Sequence, residues 1–202
     1  MKYRRISLFC FAASLCMMLA AFVLVSEQQK TLSGKVIRFH VLAASDSEED
    51  QSRKLLVRDA LLDVLSQNSF GSRTEAETWL NANLDTLTEA ANRTLRDVGD
   101  SHTAVVTLTR EDYPTRDYPT FSLPAGEYLS LRAVIGEGEG HNWWCVVYPA
   151  MCMASSRDAM EAQAVSAGFT TEELTLLTGQ STPIRVRFKL LELLSALRER
   201  FR

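Results

Sequence analysis

The side chains that could do chemistry here are few, and the most reactive pairing is a thiol with an imidazole. Cys145 stands four residues after His141, with His40 far upstream, and a cysteine beside a histidine is the arrangement of a nucleophilic hydrolase. Four extended residues span about 13 Å at about 3.3 Å each, so His141 reaches Cys145 only if the chain folds back, which leaves His40 as the better base. Cys145, His40, His141 and an acidic residue therefore make one candidate set, for a thiol- or metal-dependent hydrolase. A second candidate is the acidic run Asp46, Glu48, Glu49 and Asp50. It lacks the glycine and ligand spacing of a calcium loop, and its serines fit helix capping instead. Gly136, Gly138 and Gly140 imitate a phosphate loop, but the spacing is G-x-G-x-G, no helix follows, and Glu137 and Glu139 repel a pyrophosphate. With three histidines in all, His40, His102 and His141, no Ser-His-Asp arrangement stands out, and His102 reads as ordinary surface.

The most unusual stretch is His141-Asn142-Trp143-Trp144. Neighbours on a strand point to opposite faces, so the two tryptophans cannot enter one core. Either one ring faces outwards, as a protein-binding hot spot beside an acidic glycine-rich loop, or layers on both faces of the sheet bury both rings.

These residues must be carried by a sheet and its helices. Residues 36–43 are rich in β-branched and aromatic side chains and read as a strand buried on most of both faces, with Arg38 and His40 on one side. Ser45 and Ser47 begin a helix to about Gln67, striped by Leu55, Leu61, Leu62 and Leu65. A second helix runs from about Thr74 to Val98, striped by Ala76, Leu80, Leu84, Leu87, Ala91, Leu95 and Val98. Strands follow at 103–109, at 127–135 with Leu129, Leu131, Ala133 and Ile135 on one face, and at 143–148. The last two most simply form a hairpin across the glycine-rich loop. Residues 111–124, with three prolines, read as an extended loop carrying its tyrosines on the surface. Short helices are expected at 157–167 and 171–178, then a strand at 184–188 and an amphipathic helix at 189–201. The sum is an α/β (α+β) fold: one central mixed or antiparallel sheet of about five strands, covered by two long N-terminal helices and a C-terminal helix.

The chain has 202 residues, 46% hydrophobic and 23% charged, with nine Gly and five Pro, which suits one packed domain and excludes collagen-like or wholly disordered classes. A formal net charge of −3 supplies no basic field for nucleic acid. Lys2, Arg4 and Arg5 precede an uncharged run from Ile6 to Val25, the order of an export segment with its N-terminus held inside. At about 1.5 Å per residue that run spans about 30 Å, enough to stay as an anchor or to be cleaved. Residues 1–26 are thus a signal peptide or signal-anchor, 27–34 a polar tether and 35–202 one exported domain. Without the leader, 19 basic residues face 25 acidic ones, a net charge of −6. Cys10 and Cys16 lie in the apolar run as filler. Cys145 and Cys152 remain in a compartment where thiols are not kept reduced, and form a disulfide or stay buried and free; a metal pair is the least favoured reading, since zinc sites use tighter spacing and need two more ligands.

Three blocks carry a resemblance: Val36-Ile37-Arg38-Phe39-His40-Val41-Leu42-Ala43 followed by Ser45-Asp46-Ser47-Glu48-Glu49-Asp50-Gln51; Leu123-Pro124-Ala125-Gly126-Glu127-Tyr128; and the run from Gly136 through His141-Asn142-Trp143-Trp144-Cys145 to Val146. In this order, with Arg187-Phe188-Lys189-Leu190-Leu191-Glu192 near the end, the chain resembles the stage II sporulation protein R family of endospore-forming bacteria. It departs from the family at Ala44, where Asn is usual. The resemblance implies a secreted signalling protein rather than an enzyme, with no cofactor, metal or small-molecule substrate. Such a protein is exported from the forespore into the space between the two cells. There it activates a membrane-embedded aspartic protease of the mother cell, which processes the pro-form of the early mother-cell sigma factor. The residues placed at the partner contact are Arg38, His40, His141, Asn142, Trp143 and Trp144, and residues 6–25 engage the export machinery and membrane.

Overall fold

The computed structural model describes residues 2–151, 154 and 156–179. The strand expected at 184–188, the helix at 189–201 and Cys152 lie outside the described residues. Six helices and six strands follow in the order α1 (Lys2–Ser33), β1 (Ile37–Leu42), α2 (Glu48–Ser66), α3 (Arg73–Ala82), α4 (Leu84–Asp97), β2 (Ala104–Tyr113), β3 (Arg116–Asp117), β4 (Ser122–Leu123), β5 (Gly126–Ile135), β6 (Asn142–Tyr148), α5 (Arg157–Ser166) and α6 (Thr171–Thr178).

A mixed four-stranded sheet in the order β2-β5-β1-β6 organises the molecule, beside a two-stranded sheet of β3 and β4. The hairpin expected of β5 and β6 does not form, because β1 lies between them, parallel to β5 and antiparallel to β6. The reason is in β1 itself: Ile37, Arg38, Phe39, His40 and Val41 are all buried, and a strand with two buried faces belongs at the centre of a sheet. The glycine-rich loop therefore steps across the end of β1. Gly140 N–H donates to the Ala43 carbonyl at 3.0 Å, and a side chain at Gly140 would collide with the Ser45 backbone. Lys54 then fastens the loop to α2 by donating to the His141 carbonyl at 2.8 Å.

Helices α2 to α4 cover one face of the sheet. Val57, Leu61, Leu65, Ala76, Leu80, Leu87, Ala91 and Leu95 meet Ile37, Phe39, Val41, Leu129, Leu131, Ala133 and Ile135 in one apolar core. Two stripe residues miss it, since Leu55 and Val98 are exposed. The long second helix is broken at Asn83, whose side chain donates to the Trp79 carbonyl at 2.8 Å while its backbone leaves helical geometry between α3 and α4. The acidic run at the start of α2 is a cap, as its composition suggests: Ser47 accepts from the Asp50 N–H, and three acidic side chains sit in the first turn. Asn92 on α4 closes β2's open edge, accepting from the Ala104 N–H and donating to the Ala104 carbonyl, each at 2.8 Å.

The opposite face is covered by the end of α1, the β3–β4 sheet and helices α5 and α6, through Leu32, Phe121, Leu123, Met160, Ala164, Phe169 and Leu177. The segment read as a tether at 27–34 is helical to Ser33, because its last turns bury Leu32 and press Gln29 on Gly126, where any side chain would clash. Among the residues whose side chains are described, no helix is long and apolar enough to cross a membrane. Many of the side chains between Ile6 and Val25 fall outside that set, and those described, including Phe11, Met17, Met18 and Val23, are exposed.

Candidate functional site

Strand alternation sends every second side chain of the four strands to the face away from α2–α4. From β1 these are Arg38 and His40, from β5 Tyr128, Ser130 and Arg132, from β2 Glu111 and Tyr113, and from β6 Asn142 and Trp144. Register brings them together, since Arg38 lies beside Ser130, and His40 beside Arg132 on one side and Trp144 on the other.

His40 is the hub. Its Nε2 hydrogen-bonds Glu111 Oε2 at 2.8 Å and its Nδ1 meets Asn142 Oδ1 at 3.2 Å, which fixes the ring in place. The Trp144 indole stacks on it with centroids 4.9 Å apart and planes 7° from parallel, and Tyr113 meets Trp144 edge-on at 5.0 Å. Burial works to raise the Glu111 carboxyl, but the hydrogen bond and charge of His40, with Ser130 and Arg132, outweigh it and hold Glu111 below its ordinary value. Burial also pushes the Tyr113 and Tyr128 phenols well above theirs, so both stay neutral hydroxyls. Tyr113 Oη and Ser130 Oγ share a hydrogen bond of 2.5 Å.

Arg38 is fully buried in this layer, yet it faces no carboxylate among the described residues. Its guanidinium lies 3.9 Å above the Tyr113 ring and 5.0 Å from that of Tyr128, a cation–π sandwich. Nη2 donates to Tyr118 Oη at 3.1 Å, while Nε and Nη1 have no hydrogen-bond partner. Arg116 of β3 packs over Trp144 at 4.6 Å, and Arg132 reaches Glu111 at 3.5 Å. Of the layer's three guanidiniums, that of Arg132 meets Glu111, while those of Arg38 and Arg116 lie over aromatic rings. The layer sets guanidiniums against aromatic rings, with Arg116, Arg132, Asn142 and Trp144 half-buried at its edge.

Of the six contact residues named from sequence, four sit together on this face: Arg38, His40, Asn142 and Trp144. Trp143 does not, since it points into the helical layer against Phe39 at 5.7 Å and beneath Arg58 at 5.1 Å. The two tryptophans do take opposite faces, and both are half-buried. His141 is exposed at the rim, where its N–H donates to Asp46 at 2.6 Å. That pairing holds the Asp46 carboxyl below its ordinary range. Sequence reasoning missed Glu111, Tyr113, Arg116, Tyr118, Tyr128, Ser130 and Arg132. The alternation of 107, 109, 111 and 113 was a usable signal, but the prolines of 111–124 suggested a surface loop. In fact β2 runs on to Tyr113, which is buried, and Arg116–Asp117 pairs with Ser122–Leu123 as a small sheet.

The thiol–imidazole set is not assembled. Cys145 pairs with Phe39 and packs in the helical-side core, whereas His40 pairs with Trp144 and faces the other way. Cys145 is moreover disulfide-bonded. Cys152, expected from sequence as its partner, lies outside the described residues. Asp50, Asp100 and His102 bring ligand atoms within 4.8 Å of one another, but Arg53 lies 3.3 Å from Asp50 and 3.4 Å from Asp100, so the cluster already has its cation. A cleft of about 520 Å³ near Phe70, Tyr148 and Gln163 contains none of the residues singled out from sequence.

Comparison with known proteins gives a consistent result. The model of the family described as stage II sporulation protein R matches residues 33–158. Stage II sporulation protein R of Bacillus subtilis (strain 168) is 31% identical over 141 residues, which is 68% of this chain and 63% of the length of that relative. The chain therefore spans less than two thirds of that relative's length. No solved structure matches. Every residue of the face lies within the span matched by the family model.

Proposed function

The chain belongs to the stage II sporulation protein R family, and from that membership we propose that it is a secreted intercellular signal of endospore formation. It crosses the forespore membrane by way of residues 6–25 and works in the intermembrane space, tethered or released. There it binds the outer face of the membrane-embedded aspartic protease of the mother cell and favours its active state. The activated protease then processes the pro-form of the early mother-cell sigma factor. A ligand moves such an equilibrium only as far as it prefers one state, so the action is by contact and requires no chemistry from this chain. The observation that carries the reading is the family match across 33–158, joined to a cationic aromatic face within it. The rival hydrolase reading has lost its geometry, with Cys145 and His40 on opposite sides of the sheet.

The contact surface moves from the hairpin expected of 136–148 to the face of β1 and β6 that carries Arg38, His40, Asn142 and Trp144. A photo-crosslinking side chain at Trp144, active during sporulation, is expected to capture the aspartic protease. Capture of other envelope proteins only, with the protease absent, would overturn the proposal.

A further inference from the structure

The buried donors of the face have too few acceptors. Arg38 Nε and Nη1, Arg116 Nε and Arg132 Nε are all buried without a hydrogen-bond partner among the described residues. Buried polar groups are ordinarily satisfied, and a guanidinium facing no acceptor is an expensive thing to keep. Among the described residues Glu111 is the one carboxylate of the face, and it is already engaged by His40 and Arg132. Other nearby acids are taken: Asp117 by the Ser122 hydroxyl, and Glu127 by Arg110.

We propose that this face is a docking site for an acidic peptide segment, whose carboxylate is received between Arg116 and Arg132 against the Trp144 ring. Both arginines are half-buried and reach solvent, so they form the rim. Arg38 lies beneath, under Tyr118, and contributes its charge from below. Guanidinium pairs match the planar carboxylate, and the indole and phenol rings suit the apolar atoms of the peptide that carries it. A broad, flat membrane surface fits less well, because Arg116 and Arg132 are half-buried rather than projecting from the protein. This deepens the signalling reading, and it rests on that reading only for whose segment is bound.

The test uses the full chain in neutral detergent micelles and fluorescein-labelled hexaglutamate, read by anisotropy at low and at physiological ionic strength. Binding is expected, weakening with salt, with hexalysine inert. Arg116→Gln and Arg132→Gln should each weaken it about tenfold, as loss of a charge-assisted hydrogen bond does, while circular dichroism stays unchanged. Arg96→Gln, on the exposed side of α4, should leave it unaltered. No binding, or equal binding by the Arg116→Gln/Arg132→Gln double variant, overturns the site. Binding to phosphatidylglycerol vesicles that the same double variant abolishes, with hexaglutamate failing to compete, overturns the peptide in favour of a lipid headgroup. These outcomes do not depend on the protease: a failed crosslink with intact hexaglutamate binding removes the partner and leaves the site.

Discussion

Adjacent tryptophans on opposite faces should behave as different mutations. Trp144→Ala removes a stack on His40, an edge contact with Tyr113 and the cation–π contact of Arg116, at 4.9, 5.0 and 4.6 Å. At about 0.5–1.5 kcal/mol for each aromatic pair and about 0.5–1 for the cation, these specific contacts sum to about 3 kcal/mol. Trp143→Ala removes one edge contact with Phe39 and the Arg58 contact, at 5.7 and 5.1 Å. The same arithmetic gives about 2 kcal/mol. Both variants also lose a comparable half-buried apolar area, so urea denaturation should show both destabilised, Trp144→Ala somewhat more. Signalling should separate them cleanly. If Trp144 is an anchor worth about 2 kcal/mol at the interface, its loss cuts binding about 30-fold. Trp143→Ala costs only what its reduced folded fraction costs. The assay is sigma-factor processing during sporulation, divided by the amount of folded exported protein. Equal loss per folded molecule in both variants, or no loss in either, would refute the assignment of the two faces.

Glu111 sets an acid limit: its carboxyl is held below its ordinary value of 4.5, so its share of stability is complete above that pH and fades as pH falls through the lower folded value. Glu111→Gln should flatten that part of the stability–pH curve measured by denaturation, and an unchanged curve would contradict it. Asn92→Ala orphans the N–H and carbonyl of Ala104, which is 1% exposed, and should cost about 1–3 kcal/mol in urea unfolding. Thiol titration of the unfolded, unreduced full chain should find two reactive groups among its four cysteines, as a Cys145–Cys152 bridge requires. Four reactive groups would dismiss the bridge.

The sheet was legible wherever period and burial agreed. Leu129, Leu131, Ala133 and Ile135 announce one face of β5, and Ser47 with Asp50 announces the start of α2. Strand order was not, because a glycine loop between two strands reads the same whether they pair or straddle a third. What decides it is the crossing contact of Gly140 with the end of β1, between residues about a hundred positions apart. The site was half legible for a similar reason. Arg38, His40 and Trp144 stand out as polar or oversized residues inside strands, whereas Glu111 and Tyr113 hide behind prolines that end β2 rather than forbid it.

The face and the core are bound by one register. In β1, Ile37, Phe39 and Val41 fill the helical-side core, while Arg38 and His40 fill the other layer. A slip of one residue would put Phe39 among the arginines and His40 against Leu61, so every apolar contact of the core also holds the contact residues in position. This explains how a buried guanidinium is tolerated at the centre of the molecule. The strand cannot relieve Arg38 by shifting without giving up Phe39, and the two tyrosines that sandwich it supply only part of what water would. The remaining deficit is one that an incoming acidic group can make good, so binding at the rim should stiffen the layer beneath. Slower amide exchange at Arg38 and Ser130 in the presence of hexaglutamate is the expected sign, and unchanged exchange with saturated binding would show that the buried arginine takes no part.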